Sequence, residues 1–183
     1  FDIVGKKDLT LASDLKVVAG GKRVKSLFWV NDGDDLTLNG SGYKIQYTSN
    51  HEYDGSVIGV IGGKFTLRGG SIDANVINDS YSCSAVYNAG GEVYLVEGTL
   101  SGWVGSSIWS SVFADSRGTT VLGGSASGVL KISGKIGEAH SFSAANLIVW
   151  GNAYQNVVIK ENVEIEKLRD RSIIVNVSAG HKV

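Results

Sequence analysis

The stretches VIGVIGGKFTLRGGSID (Val57–Asp73) and SAVYNAGGEVYLVEGTLSG (Ser84–Gly102) carry nearly the same pattern twice. Each runs an apolar segment, a Gly-Gly pair, an alternating segment and glycine again. Gly90-Gly91 repeats Gly62-Gly63, Arg117-Gly118 comes at almost the same step again, and Asp32-Gly33 lies close to one step upstream. The strand after each anchor also recurs, as LTLNG, FTLRGG, VYLVEG and TTVLGG. Its leucines Leu38, Leu67, Leu95 and Leu122 keep the same near-constant spacing. A fixed period, here about 28 residues, is the signature of stacked repeats, in which no unit buries its apolar face alone.

Composition agrees. The chain has 183 residues with 25 glycines and no proline. Val, Ile, Ser, Thr and Tyr dominate over runs of helix formers, which reads as all-β with many turns. Alternation places Phe65 and Leu67 inward and Lys64, Thr66 and Arg68 outward, and likewise Val93 and Leu95 inward with Tyr94 outward. In SVIGVIGG the two faces are equally apolar, so periodicity leaves open which one is inside. Glycine at a fixed place suits a bend needing positive φ or close backbone approach.

Coils of about 28 residues with two or three short strands predict a right-handed parallel β-helix, with an antiparallel β-sandwich as the alternative. GVIGGKFTLRGGSIDAN and SAVYNAGGEVYLVEGTLSG resemble the coils of bacterial surface and secreted proteins of the pectin-lyase-like β-helix superfamily. The resemblance covers about Leu27 to Ser127. It implies an extracellular or cell-surface protein, an adhesin or structural stalk that contacts glycans or host surface components. Its enzymatic counterpart is a polysaccharide lyase, glycoside hydrolase or tailspike-like depolymerase.

One domain is expected over 1–183. Residues 1–26 form a partial or capping coil, 27–127 the regular coils and 128–183 irregular and final coils. SASGVLKISGKIGEAHS reads as an insertion, after which NLIVWGNAYQNVVIKENVEI resumes the pattern. VNVSAGHKV matches the IGVIGGKFT part of a further coil. A start at Phe1 and the lack of methionine fit a mature or excised part of a longer precursor. A second copy or a neighbouring domain would then cover the solenoid ends.

Seventeen basic and 18 acidic residues are scattered, with a net charge of -1. No basic stripe points to nucleic acid. No apolar run reaches the roughly 18–20 residues of a membrane helix. The one cysteine, Cys83, reads as a small buried hydrophobe. His51, His140 and His181 share no metal-ligand spacing.

The densest acidic cluster is Asn31-Asp32-Gly33-Asp34-Asp35. An Asp-Gly turn is its commonest use. Oxygen ligands on Asp32, Asp34 and Asp35 around a glycine would also suit calcium, the one cofactor the sequence suggests, although the closing Glu of an EF-hand is missing. No outward column of carboxylates emerges, because Ser101 follows Asp73 one period later. Lys64 with Glu92, and Arg68 with Glu97, are candidates for cross-coil ion pairs.

Aromatics gather in predicted turns: Tyr53, Tyr81, Trp103, Trp109, Trp150 and Tyr154. Tyr53, Tyr81 and Trp109 follow one another at the coil period. Such a ladder either packs beneath the turns or, together with Tyr94, holds sugar rings against flat aromatic faces. Asn39, Asn75, Asn88 and Asn152 stand at bends, where their side chains cap backbone groups. Function is expected in what differs between the two matching lines, namely Tyr87, Asn88, Tyr94 and the turn aromatics.

Overall fold

A computed structural model describes residues 1–18, 26–49, 56–76, 84–88, 90–102, 112–114, 119–135, 156–159, 163–167 and 176–177. Among them are β-strands and no helix. The chain lays strands around three sides of a solenoid, rung after rung. The first rung holds β1 (Asp2–Ile3), β2 (Lys6–Thr10) and β3 (Leu15–Val18). The second holds β4 (Ser26–Asn31), β5 (Asp35–Asn39) and β6 (Lys44–Ser49). In the next two, the second and third sides merge into one long bent strand: β7 (Ser56–Ile61) precedes β8 (Lys64–Val76), and β9 (Ser84–Asn88) precedes β10 (Glu92–Gly102). Then come β11 (Val112–Ala114), β12 (Thr119–Leu122) and β13 (Leu130–Lys135). β14 (Asn156–Ile159), β15 (Val163–Lys167) and β16 (Asn176–Val177) complete the described strands.

Like stacks on like. One sheet runs β1–β4–β7–β9–β11, and the second side runs β2–β5–β8–β10–β12–β14–β16. The third side stacks β3, β6, the second half of β8, the second half of β10, β13 and β15. Every ladder between these strands is parallel, which rules out the antiparallel sandwich. The coils are about 29 residues long.

The register is the one the leucines predict: Leu9, Leu38, Leu67, Leu95, Leu122, Ile159 and Val177 stand in one column. Beside it run Leu36, Phe65, Val93 and Thr120, and on the third side Leu15, Ile45, Ile72, Leu100, Ile132 and Ile165. Leu36, Phe65, Val93, Leu95, Ile72 and Leu100 are each 0% exposed. A side chain buried to this degree contributes about 1.5–3 kcal/mol over leaving it in water. β7 is buried on both faces. Ile58 and Val60 share the interior face with Phe28, Val30 and Val86, while Val57 and Gly59 lie on the other.

Glycine shapes the corners. Gly33, Gly62 and Gly90 occupy one bend at φ of 82°, 81° and 102°. In the first of these turns Asp34 N–H donates to Asn31 C=O at 3.0 Å with Gly33 third, the place where a type II turn needs positive φ. The repeat anchors therefore shift by one position from the sequence reading. Gly33 matches Gly62, and Asp34 takes the place of Gly63 and Gly91.

Strand pairing places three segments more finely than alternation does. Within the expected partial or capping coil, residues 2–18 build strands on all three sides of a rung. Within the expected insertion, VLKIS is not inserted chain: it belongs to β13 and pairs with β10, while residues 136–141 lie outside the described residues. Of VNVSAGHKV, Asn176 and Val177 are described, and they lie on the second side: Val177 pairs with Ile159, in the leucine column rather than in the column of Val60.

Candidate functional site

Residues on the outer face of the second side stack about 4.8 Å apart from rung to rung. Lys6, Asp35, Lys64 and Glu92 follow one another in register, so charge alternates in sign up the column. The next outward column holds Asp8, Thr37, Thr66, Tyr94 and Val121. Thr66 faces outward as expected but is only 7% exposed, roofed between Thr37 and Tyr94.

Tyr94 is the best-positioned aromatic of this face. It is half-buried, and its hydroxyl donates to Glu92 Oε2 at 3.1 Å. Lys64 Nζ lies 5.3 Å from its ring centroid, a cation–π contact. Burial, then the hydrogen bond to Glu92, then the charge of Glu92 hold the phenol above its ordinary range. The expected cross-coil pairs are register neighbours, Lys64 with Glu92 and Arg68 with Glu97. Their side chains take other partners. Lys64 covers Tyr94, and Glu97 Oε2 accepts a hydrogen bond from Ser125 Oγ. Ser125 Oγ in turn accepts the N–H groups of Ser127 (3.4 Å) and Gly128 (2.9 Å), so the loop at 123–129 folds down onto Glu97.

On the third side Gln46, Asp73, Ser101 and Ser133 form a polar row. Asp73 accepts from Ser101 Oγ (2.8 Å) and from Gln46 Nε2 (3.4 Å). Asp73 thus meets Ser101 one period on, as the sequence predicts, and the row contains one carboxylate.

The acidic turn serves the backbone. Asp34 Oδ1 accepts the N–H of Gly5 at 2.7 Å, tying the first rung to the second. Asp32 is exposed and Asp35 half-buried. Among the described residues no group of three or more His, Cys, Asp or Glu converges enough to hold a metal ion.

Of the bend asparagines, Asn39 and Asn88 cap as expected, whereas Asn75 lies within β8, in register with Thr48. Asn39 Oδ1 accepts from the N–H (3.2 Å) and hydroxyl (3.1 Å) of Ser41. Asn88 is wholly buried. Its Oδ1 accepts from Gly91 N–H (2.9 Å), and its Nδ2 donates to Gly91 C=O (3.2 Å), Thr119 C=O (3.1 Å) and Thr120 Oγ1 (3.1 Å).

The first sheet carries an aromatic row that local reading missed: Trp29, Gly59, Tyr87 and Phe113 are in register. The Trp29 ring lies close against Gly59, where a Cβ would come within 2.7 Å of Cε3 and Cζ3. Trp29 and Tyr87 are both half-buried. The coil period is the signal that finds this row. Tyr53, Tyr81, Trp103, Trp109, Trp150 and Tyr154 lie outside the described residues, as do Cys83 and the three histidines.

No helix of the described residues is long and apolar enough to cross a membrane. Comparison with protein-family models, with curated proteins and with solved structures gives no match.

Proposed function

We propose that this chain is a secreted or cell-surface solenoid that acts as an adhesin or rigid stalk and contacts glycans through its outer faces. The observation that carries the reading is the Tyr94 position: a half-buried ring held between Lys64 and Glu92 on a regular polar wall. An aromatic face packs on sugar C–H groups while flanking polar groups bind hydroxyls. The stacked core supplies the stiffness a stalk needs.

The enzymatic reading finds less support. A glycosidase needs two carboxyl groups roughly 5–10 Å apart with acid and base roles to perform. On the described faces Asp34, Asp73, Glu92 and Glu97 are each engaged by a neighbouring N–H, amide or hydroxyl. The test is a glycan-array screen run beside assays for polysaccharide depolymerisation. The adhesin reading expects binding without cleavage, weakened by Tyr94→Ala in a folded chain. Cleavage would replace it with the depolymerase reading, and a blank array would leave only the stalk.

A further inference from the structure

The polar groups around Tyr94 keep hydrogen-bonding capacity in reserve. Glu92 is exposed, and its Oε2 alone is engaged, by the Tyr94 hydroxyl. Its Oε1 remains as an acceptor. Lys64 Nζ lies over the ring and makes no hydrogen bond or ion pair, so its three N–H groups remain as donors. The Tyr94 hydroxyl, having donated, keeps its lone pairs. Acceptors and donors thus stand together around one half-buried ring. A sugar hydroxyl both donates and accepts, so two neighbouring hydroxyls match such a set. A carboxylate or sulfate only accepts. It would use Lys64 while meeting Glu92 as a like charge.

The charges nearby point the same way. Lys64 stands in register between Asp35 and Glu92, so both of its neighbours in the column are acidic. Arg68, on the same strand as Lys64, is in register with Glu97. Two cations therefore stand among three carboxylates, Asp35, Glu92 and Glu97. Above Glu92 the column continues with Thr119 and Asn156, and above Tyr94 with Val121 and Val158, none of them charged. Among the described residues the surroundings of the ring are net negative, which disfavours an anionic ligand and leaves a neutral one unaffected.

We infer that the Tyr94 site selects neutral sugars with neighbouring free hydroxyls over uronate or sulfated ones, which rests on the glycan-binding reading above. Arrayed oligosaccharide pairs test this, each neutral chain beside the counterpart that differs only by a uronate carboxylate or a sulfate ester. For pairs that bind, calorimetry on the 183-residue chain gives the two dissociation constants. The neutral member should bind at least about tenfold more tightly, by a ratio that narrows as salt is raised. Glu92→Gln removes the like charge but keeps an acceptor on an exposed side chain, and should bring the ratio to within about threefold. Tighter binding of the charged member overturns the inference while the glycan reading stands. So does a neutral preference that neither salt nor Glu92→Gln reduces. Binding to no member of any pair removes the glycan reading and the inference with it.

Discussion

Asn88 stands in a column of valines. It is in register with Val60, and Val60 with Val30, yet it is as buried as they are. A buried amide is tolerable only when its donors and acceptor are used, and here Gly91, Thr119 and Thr120 use them. Thr120 is the corresponding exception in the column of Leu36, Phe65 and Val93. The two polar residues therefore form one unit linking a bend to the strand of the next rung. Asn88→Ala leaves the Gly91 amide and the Thr120 hydroxyl without this partner and should cost about 2–3 kcal/mol in urea unfolding. Asn88→Val combined with Thr120→Val should cost less than the sum of its parts, since the neighbouring rungs hold Val60 in one column and Val93 in the other. A loss under about 0.5 kcal/mol for Asn88→Ala would show that the buried network does not hold the bend. The sequence marks Asn88 as a bend residue through its Asn-Ala-Gly-Gly context. Its reach to Thr119 and Thr120, a full rung further along the chain, depends on the stacking register and cannot be read locally.

The bend joining the second and third sides depends on three glycines brought together by stacking. Gly40 and Gly70 are so close that a Cβ on Gly70 would lie 2.5 Å from Gly40 Cα, and one on Gly98 would lie 2.6 Å from Gly70 C=O. Gly98 also sits at φ of 121°. Gly5 has positive φ as well, 68°, but open space around it. Gly98→Ala should therefore cost about 2–4 kcal/mol, combining backbone strain with overpacking, and Gly5→Ala about 1 kcal/mol from strain alone. Equal losses in thermal melts would mean that close rung contact does not limit this bend. Strand existence is legible in the alternation of KFTLRG and EVYLVEG, because one face of each is buried. Strand placement is harder. VLKIS and VNVSAG both read as strands, but alternation does not say on which of three sides a strand lies. VLKIS therefore resembles inserted chain, and the match of VNVSAGHKV to IGVIGGKFT puts Val177 on the wrong side.

At the scale of the molecule, the coil period converts sequence separation into contact between neighbouring rungs. That rule places Leu38, Leu67, Leu95 and Leu122 in one stack and Lys6, Asp35, Lys64 and Glu92 in another. It also locates the row of Trp29, Gly59, Tyr87 and Phe113, but an aromatic on an apolar strand draws less notice than one in a turn. The leucine stack is the direct consequence of parallel in-register coiling. Methyl-labelled leucine NOE spectroscopy on the folded chain measures it. The solenoid predicts contacts from Leu67 methyls to those of both Leu38 and Leu95, and from Leu95 to Leu122. Leu67 methyls in contact with neither Leu38 nor Leu95 would contradict the fold and everything built on its register.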